Sequence, residues 1–243
     1  MIKLLQLFPA ELSASGDSGN IQTVAYRLRA RGFDVSVLDY TGEGSLPNDV
    51  HGVFLGNGPW SAAKIVLENL KRQSQVLNEY VARQVPIFAV GAGAEILGVE
   101  VTDATGETHK GLGILPLSAL REVDRRVGYM KIVSEGVDFV GFGDFASMWK
   151  LDDASYALGE AVVGDRSSET FVEGVCTGSL VATRMVGPAL PLNPVFADRI
   201  VLLVLAHAGL SSELSRLETD IYPENARRVI LKHLDTHFAT IAL

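Results

Sequence analysis

Cysteine is almost missing from this chain: Cys176 is the only one in 243 residues. No intrachain disulfide can form, so nothing marks an oxidising compartment. Long hydrophobic runs are missing too. RIVLLVLAHAGL, residues 199–210, is the longest after the start and falls short of the roughly 20 apolar residues a membrane helix needs. The opening MIKLLQLF is too brief for a secretory signal core, and a cytoplasmic location is expected. Positive charge is in short supply. Lys and Arg number 21 against 29 Asp and Glu, a net charge of -8, which argues against nonspecific binding to nucleic acid or anionic membranes. No Pro/Ser-rich linker, repeat or low-complexity run divides the chain. With 47% hydrophobic residues it can bury a large core, and one domain over 1–243 is expected.

The first half alternates two kinds of segment. IKLLQLF, FDVSVLD, HGVFLG and VPIFAVG read as buried strands. Between them, GNIQTVAYRLRARG places Ile21, Val24 and Leu28 on one helical face, with Gly32 as its stop. Ser61 to Arg83 reads as one long helix carrying Ile65, Leu70, Leu77 and Val81 on or near one face. Strands separated by helices predict a parallel sheet covered on both faces. After Gly111 the segments are strand-like and joined by Gly and Asp turns, which predicts antiparallel additions to the sheet. Two helices are expected to close the chain: Pro194 to Leu210, started by Asn193, and Glu224 to Thr240 after Pro223.

One stretch raises the question of chemistry. In VPIFAVGAGAEILG, residues 85–98, a strand turns abruptly into a helix, the place where many α/β enzymes hold a nucleophile. Its tip is Gly91-Ala92-Gly93, with no reactive side chain.

Other stretches give that turn a context. They are GDSGN (16–20), FLGNGP (54–59), KGLGILPL (110–117), RRVG (125–128), FVGF (139–142) and GPALPLNPVFAD (187–198). In this order and spacing the chain resembles the class I glutamine amidotransferases of the CobB/CobQ type, in particular the GatD subunit that supplies ammonia to a MurT ligase partner for amidating lipid II. The resemblance covers almost the whole length. It implies an α/β fold, a flavodoxin-like three-layer sandwich with a central, mostly parallel sheet, and no cofactor or metal. It also implies a cysteine at the elbow that attacks the glutamine carboxamide and a late histidine that shuttles the proton. Backbone amides near the elbow and after the third strand would hold the oxyanion, chemistry that a helix N-terminus and oriented amides support.

This sequence departs from that pattern twice. The family's elbow reads Cys-Gly-Gly-Tyr-Gln-Leu-Leu-Gly; here the run is Gly91-Ala92-Gly93-Ala94-Glu95-Ile96-Leu97-Gly98, so the nucleophile position falls on Gly91. The histidine of a Leu-His-Gly-Pro run falls on Val186 within Met185-Val186-Gly187-Pro188. Neither residue can do the work. Cys176, in a strand-like stretch, reads as a small core residue rather than a substitute nucleophile. His233 and His237, four apart, have a spacing that can bind metal but read better as a solvated helix face.

Parts of the site persist in the comparison. Arg125, next to Arg126, falls where the family contacts the substrate glutamine; the alternative is a surface charge paired with Glu122 or Asp124. Gly56, Asn57 and Gly58 match the oxyanion loop, with Ala92 at the elbow; the loop also reads as a plain strand-end turn. Asp17 and Asn20 read as caps of the first helix. The expectation is an amidotransferase-fold protein that has lost glutaminase activity and serves as a partner or regulatory subunit, with a MurT-like ligase as the expected partner. Two alternatives stand beside it. One is a working amidotransferase that feeds such a ligase or a cobyric-acid-synthase-like pathway. The other is a sensor binding a small anionic ligand, such as glutamine, at an open, amide-rich helix N-terminus left by Gly91.

Overall fold

The computed structural model describes all residues except 136, 163–169, 212, 235–238 and 242–243. The chain opens with β1 (Ile2–Leu7), α1 (Ser18–Arg29), β2 (Val35–Tyr40), β3 (Gly52–Leu55), α2 (Trp60–Lys71), α3 (Ser74–Ala82), β4 (Ile87–Val90) and α4 (Ala92–Leu97). It continues through β5 (Glu100–Thr102), β6 (Thr108–Lys110), the long β7 (Leu117–Ser134) and β8 (Val137–Leu151), β9 (Gly159–Val162), β10 (Thr170–Glu173), β11 (Val175–Thr177), β12 (Leu180–Thr183) and β13 (Met185–Val186). The last elements are α5 (Ala189–Leu192), α6 (Pro194–His207), α7 (Ile221–Lys232) and β14 (Ala239–Ile241).

The central sheet runs β11-β12-β4-β3-β1-β2, with every pairing parallel except β11 to β12. β3 and β4 are buried at every residue, as parallel strands covered on both faces must be. Alternation along the strands divides the core. Val53, Leu55, Ile87 and Ala89 face α2, α3 and α4; Phe54, Phe88 and Val90 face α1, α5 and α6. This is the expected three-layer sandwich.

The β-rich half mostly does not extend that sheet. Only β11 joins it antiparallel, while eight strands (β5 to β10, β13 and β14) form a second sheet centred on β7. β7 and β8 pair antiparallel from Leu117↔Leu151 to Ser134↔Val137, with a register break between Arg121 and Arg126. The break re-aims the side chains on either side of it.

Three element boundaries also differ from expectation. The 61–83 helix is two helices: the chain turns at Arg72–Gln73, where the Gln73 side chain bonds the Gly44 carbonyl and the Leu46 amide. Ile65 lies on the outer face and is exposed. α7 begins three residues before Glu224 and takes Pro223 into its first turn, where an amide donor has no helical acceptor to lose. The helix expected to reach Thr240 ends at Lys232, and Ala239–Ile241 pairs with β7; His237 lies outside the described residues. Among the described residues no helix is long and apolar enough to cross a membrane.

Candidate functional site

β4 runs up the centre of the parallel sheet and ends at Gly91, whose backbone takes φ 51° and ψ -124°. That conformation is hostile to any residue with a Cβ, so glycine holds the turn without strain. The Gly91 amide donates to the Thr183 carbonyl at the end of β12, and the Gly91 carbonyl accepts from Glu95 to close the first turn of α4. The elbow is therefore built in full, without a reactive side chain at its tip.

The space such a side chain would enter is taken. A Cβ built on Gly91 would lie 2.3 Å from Asn57 Oδ1 and 2.7 Å from its Cγ. Asn57 Oδ1 also accepts the Ala92 amide at 3.0 Å. The expectation of an open, amide-rich helix N-terminus is thus corrected. α4 has only six residues, and its first amide is already bonded to the protein's own carboxamide.

A cavity of about 410 Å³ opens beside this turn. The loops after β1, β3, β4 and β12 form its floor, and the β7–β8 hairpin forms its wall. The crevice outside the carboxyl ends of parallel strands is where open α/β sheets bind ligands. Gly91, Ala92, Asn57, Gly58, Arg125 and Val186 all line it, so residues drawn from 130 positions of sequence converge there. Gly56 does not line it. It sits where β3 meets the loop before α1, and a Cβ there would lie 2.1 Å from the Leu12 carbonyl oxygen. Val186 is buried in β13, paired with Phe142 of β8.

The charges of the cavity are matched. Arg125 is held by Asp144 across the hairpin, through Nε to Oδ1 and through Nη2 to Oδ2 at 2.9 Å. Arg126 takes Glu122 at 3.0 Å, so the surface pairing expected for Arg125 belongs to its neighbour. Asp144 raises the Arg125 pKa beyond its ordinary value, against the opposing effect of burial.

Deeper in, Glu95 of α4 is buried and accepts from Arg121, from Ser147 Oγ at 2.5 Å and from Trp149 Nε1 at 3.3 Å. The Arg121 guanidinium lies over the Trp60 ring at 5.2 Å. Arg184, which also lines the cavity, pairs with Glu173 and rests against Phe145, Phe171 and Trp149. Sequence reading missed Arg121, Asp144 and Arg184. The available signal was Glu95, a carboxylate in an apolar helix that needs a cationic partner.

Asp17 and Asn20 do other work than capping. Asp17 stands at the N-cap of α1 with no side-chain cap bond. Its Oδ1 is buried without a partner, and burial pushes the carboxyl up to about 6, against the pull of backbone amides at Asn57 and Ser15. Asn20 Oδ1 accepts the Leu190 amide at 2.9 Å and ties α1 to α5.

No substitute catalytic pair gathers here among the described residues. Cys176 lies outside the cavity, its Sγ bonded by Arg199 at 3.0 Å, and burial raises its thiol pKa. His51 Nδ1 accepts the Lys3 amide, and none of His51, His109, His207 and His233 lines the cavity. Asp103, Glu107 and His109 could share a cation, but the Asp103 oxygens already bind Thr105, His109 and the Glu107 amide.

A family model described as a CobB/CobQ-like glutamine amidotransferase domain matches residues 10–191, well over half the chain. The GatD subunit of the glutamine-hydrolysing lipid II isoglutaminyl synthase of Streptococcus pneumoniae is 25% identical over 209 residues, 84% of this chain and 80% of that one. The GatD subunit from Staphylococcus aureus is 24% identical over 213 residues, 86% of this chain and 87% of that one. A crystal structure of a glutamine amidotransferase from Thermotoga maritima superposes with a TM-score of 0.51 at 13% identity, covering 96% of this chain and 97% of that one. At that identity the likeness speaks for the fold.

Proposed function

Since this chain belongs to the CobB/CobQ-like glutamine amidotransferase family, we propose that it is a member without glutaminase activity, acting as a non-catalytic partner or regulatory subunit of a synthetase. The observation that carries the reading is Gly91. A residue without a side chain occupies the turn, and the Asn57 carboxamide fills the space a nucleophile would need. Val186, apolar and buried in the same cavity, supplies no base. The relatives named above are subunits of a lipid II isoglutaminyl synthase, which supports a MurT-like ligase as the partner and peptidoglycan precursor amidation, in the cytoplasm, as the setting.

Glutamine hydrolysis by the purified protein, alone and with such a ligase, is the test. The expected result is no ammonia above a heat-killed control. Release at an ordinary enzymatic rate would sink the reading and establish the alternative of a working amidotransferase.

A second reading has its own support. The cavity retains Arg125 and Asp144, a cation and an anion side by side, which suits a ligand carrying both a carboxylate and an ammonium group. A sensor of glutamine or glutamate fits that pair better than a sensor of a bare anion. Calorimetric titration with glutamine, glutamate and phosphate separates these; no heat from any of the three would remove the sensor.

A further inference from the structure

We infer that Asn57 is a lock on the elbow, coupled to Gly91, and that it closes the turn at position 91 to a side chain independently of the missing base. The inference rests on the non-catalytic reading and deepens it. Gly91 explains why nothing attacks; Asn57 explains why a side chain at that turn would lack room.

The Asn57 backbone has no room to retreat. Its neighbours on both sides press against the chain before α1: a Cβ on Gly56 would lie 2.1 Å from the Leu12 carbonyl oxygen, and one on Gly58 would lie 2.5 Å from that of Glu11. The Asn57 carbonyl accepts the Ala14 amide at 3.1 Å. Only the side chain can move, by rotating into the neighbouring cavity.

What that rotation forfeits is the bond to the Ala92 amide. Amides in the first turn of a helix have no acceptor within the helix. At Ala92 the deficit is met by Asn57 Oδ1. Gly91 and Asn57 therefore form a pair in which each residue permits the other. A side chain at 91 has to compete with the carboxamide for the same space, and displacing the carboxamide costs its bond to Ala92.

The test uses thiol chemistry rather than turnover. In a Cys176→Ala background, Gly91→Cys is compared with Gly91→Cys/Asn57→Gly for alkylation by iodoacetamide. The thiolate displaces iodide and forms the S–C bond, with the thiol proton released to buffer. We expect alkylation at least ten-fold faster in the variant lacking Asn57; equal rates overturn the inference. A second measurement leaves residue 91 untouched and stands if Gly91→Cys does not fold. Hydrogen exchange of the Ala92 amide is expected to be at least ten-fold faster in Asn57→Ala than in wild type, and an unchanged rate overturns the inference. Glutamine hydrolysis by the wild-type protein would overturn the non-catalytic reading without altering either measurement, so the two failures are distinguishable.

Discussion

Arg184 and Glu173 form a 2.8 Å ion pair in which the side chains are 1% and 0% exposed. Glu173 also receives the Arg184 amide and the Thr183 hydroxyl, and Arg184 reaches the carbonyls of Ser147 and Val172. The pair joins the end of β12 to the second sheet at the cavity, which Arg184 lines. Removing one partner strands the other charge, so Glu173→Gln or Arg184→Met is expected to destabilise the fold by about 3–5 kcal/mol in urea unfolding. Replacing both with apolar residues of similar volume is expected to be much milder. Single variants within about 1 kcal/mol of wild type would show that water reaches the pair.

Restoration of chemistry should need three changes. Gly91→Cys alone is expected to stay inactive, and Gly91→Cys/Val186→His to stay inactive while Asn57 holds its place. Slow glutamine hydrolysis is expected only when Asn57→Gly is added, measured as ammonia release over hours. Full activity from the single change would show that the base is not at position 186.

The Asp17 carboxyl sets a pH dependence of definite sign. Its folded pKa, about 6, lies above the ordinary carboxylate range. Its contribution to stability is therefore fully present below about pH 4 and is lost as pH rises through 6. A shift of this size is worth roughly 3 kcal/mol. Asp17→Asn should remove this fall between pH 4 and 6 and leave a protein more stable than wild type at neutral pH. Parallel curves for wild type and variant across that window would refute the assignment.

A second acid works the other way. Burial of Asp220 opposes its ionisation, but the hydrogen bond and charge of Arg27, with the Leu217 amide and the Arg31 charge, outweigh burial and depress its pKa. Its contribution is present above the unfolded pKa and is lost as pH falls through the folded one. Arg27 also grips Asp198 of α6, and Arg31 adds a 2.9 Å bond to the same carboxylate. Arg27→Met is expected to cost about 3 kcal/mol or more. It should also expose the stretch between α6 and α7 to limited proteolysis, and an unchanged cleavage pattern would count against this network as the anchor.

By contrast, the Arg125–Asp144 pair is half open to solvent and pairs charges that water would also serve. Arg125→Ala should change stability by less than about 1 kcal/mol. If the cavity holds a zwitterion, the same substitution should abolish binding, which separates a ligand role from a structural one in one variant.

Much of this was legible in the residues. The run from Val85 to Gly98 announces a strand, a tight turn and a helix, and the alternation around it gives the parallel sheet. Gly91, Val186 and Arg125 fall in one cavity, as their motifs imply. What escaped depends on contacts between distant positions. Nothing local at Asn57 tells that its side chain occupies the space of a side chain at position 91, because Gly91 is 34 positions away and the contact exists only after β3 and β4 pair. The Asp144 partner of Arg125 was hidden by the register of a long hairpin. The break at Arg72–Gln73 escaped because it uses no Gly or Pro; a glutamine side chain bonding a remote loop replaces them.

The backbone of Gly91 has a consequence for evolution in either direction. Any other residue held at φ 51°, ψ -124° would carry about 1–3 kcal/mol of strain, an expense a working elbow bears for reactivity. Glycine avoids it, so the turn is relaxed as it stands. On the non-catalytic reading, any side chain introduced at position 91 would start uphill by that strain.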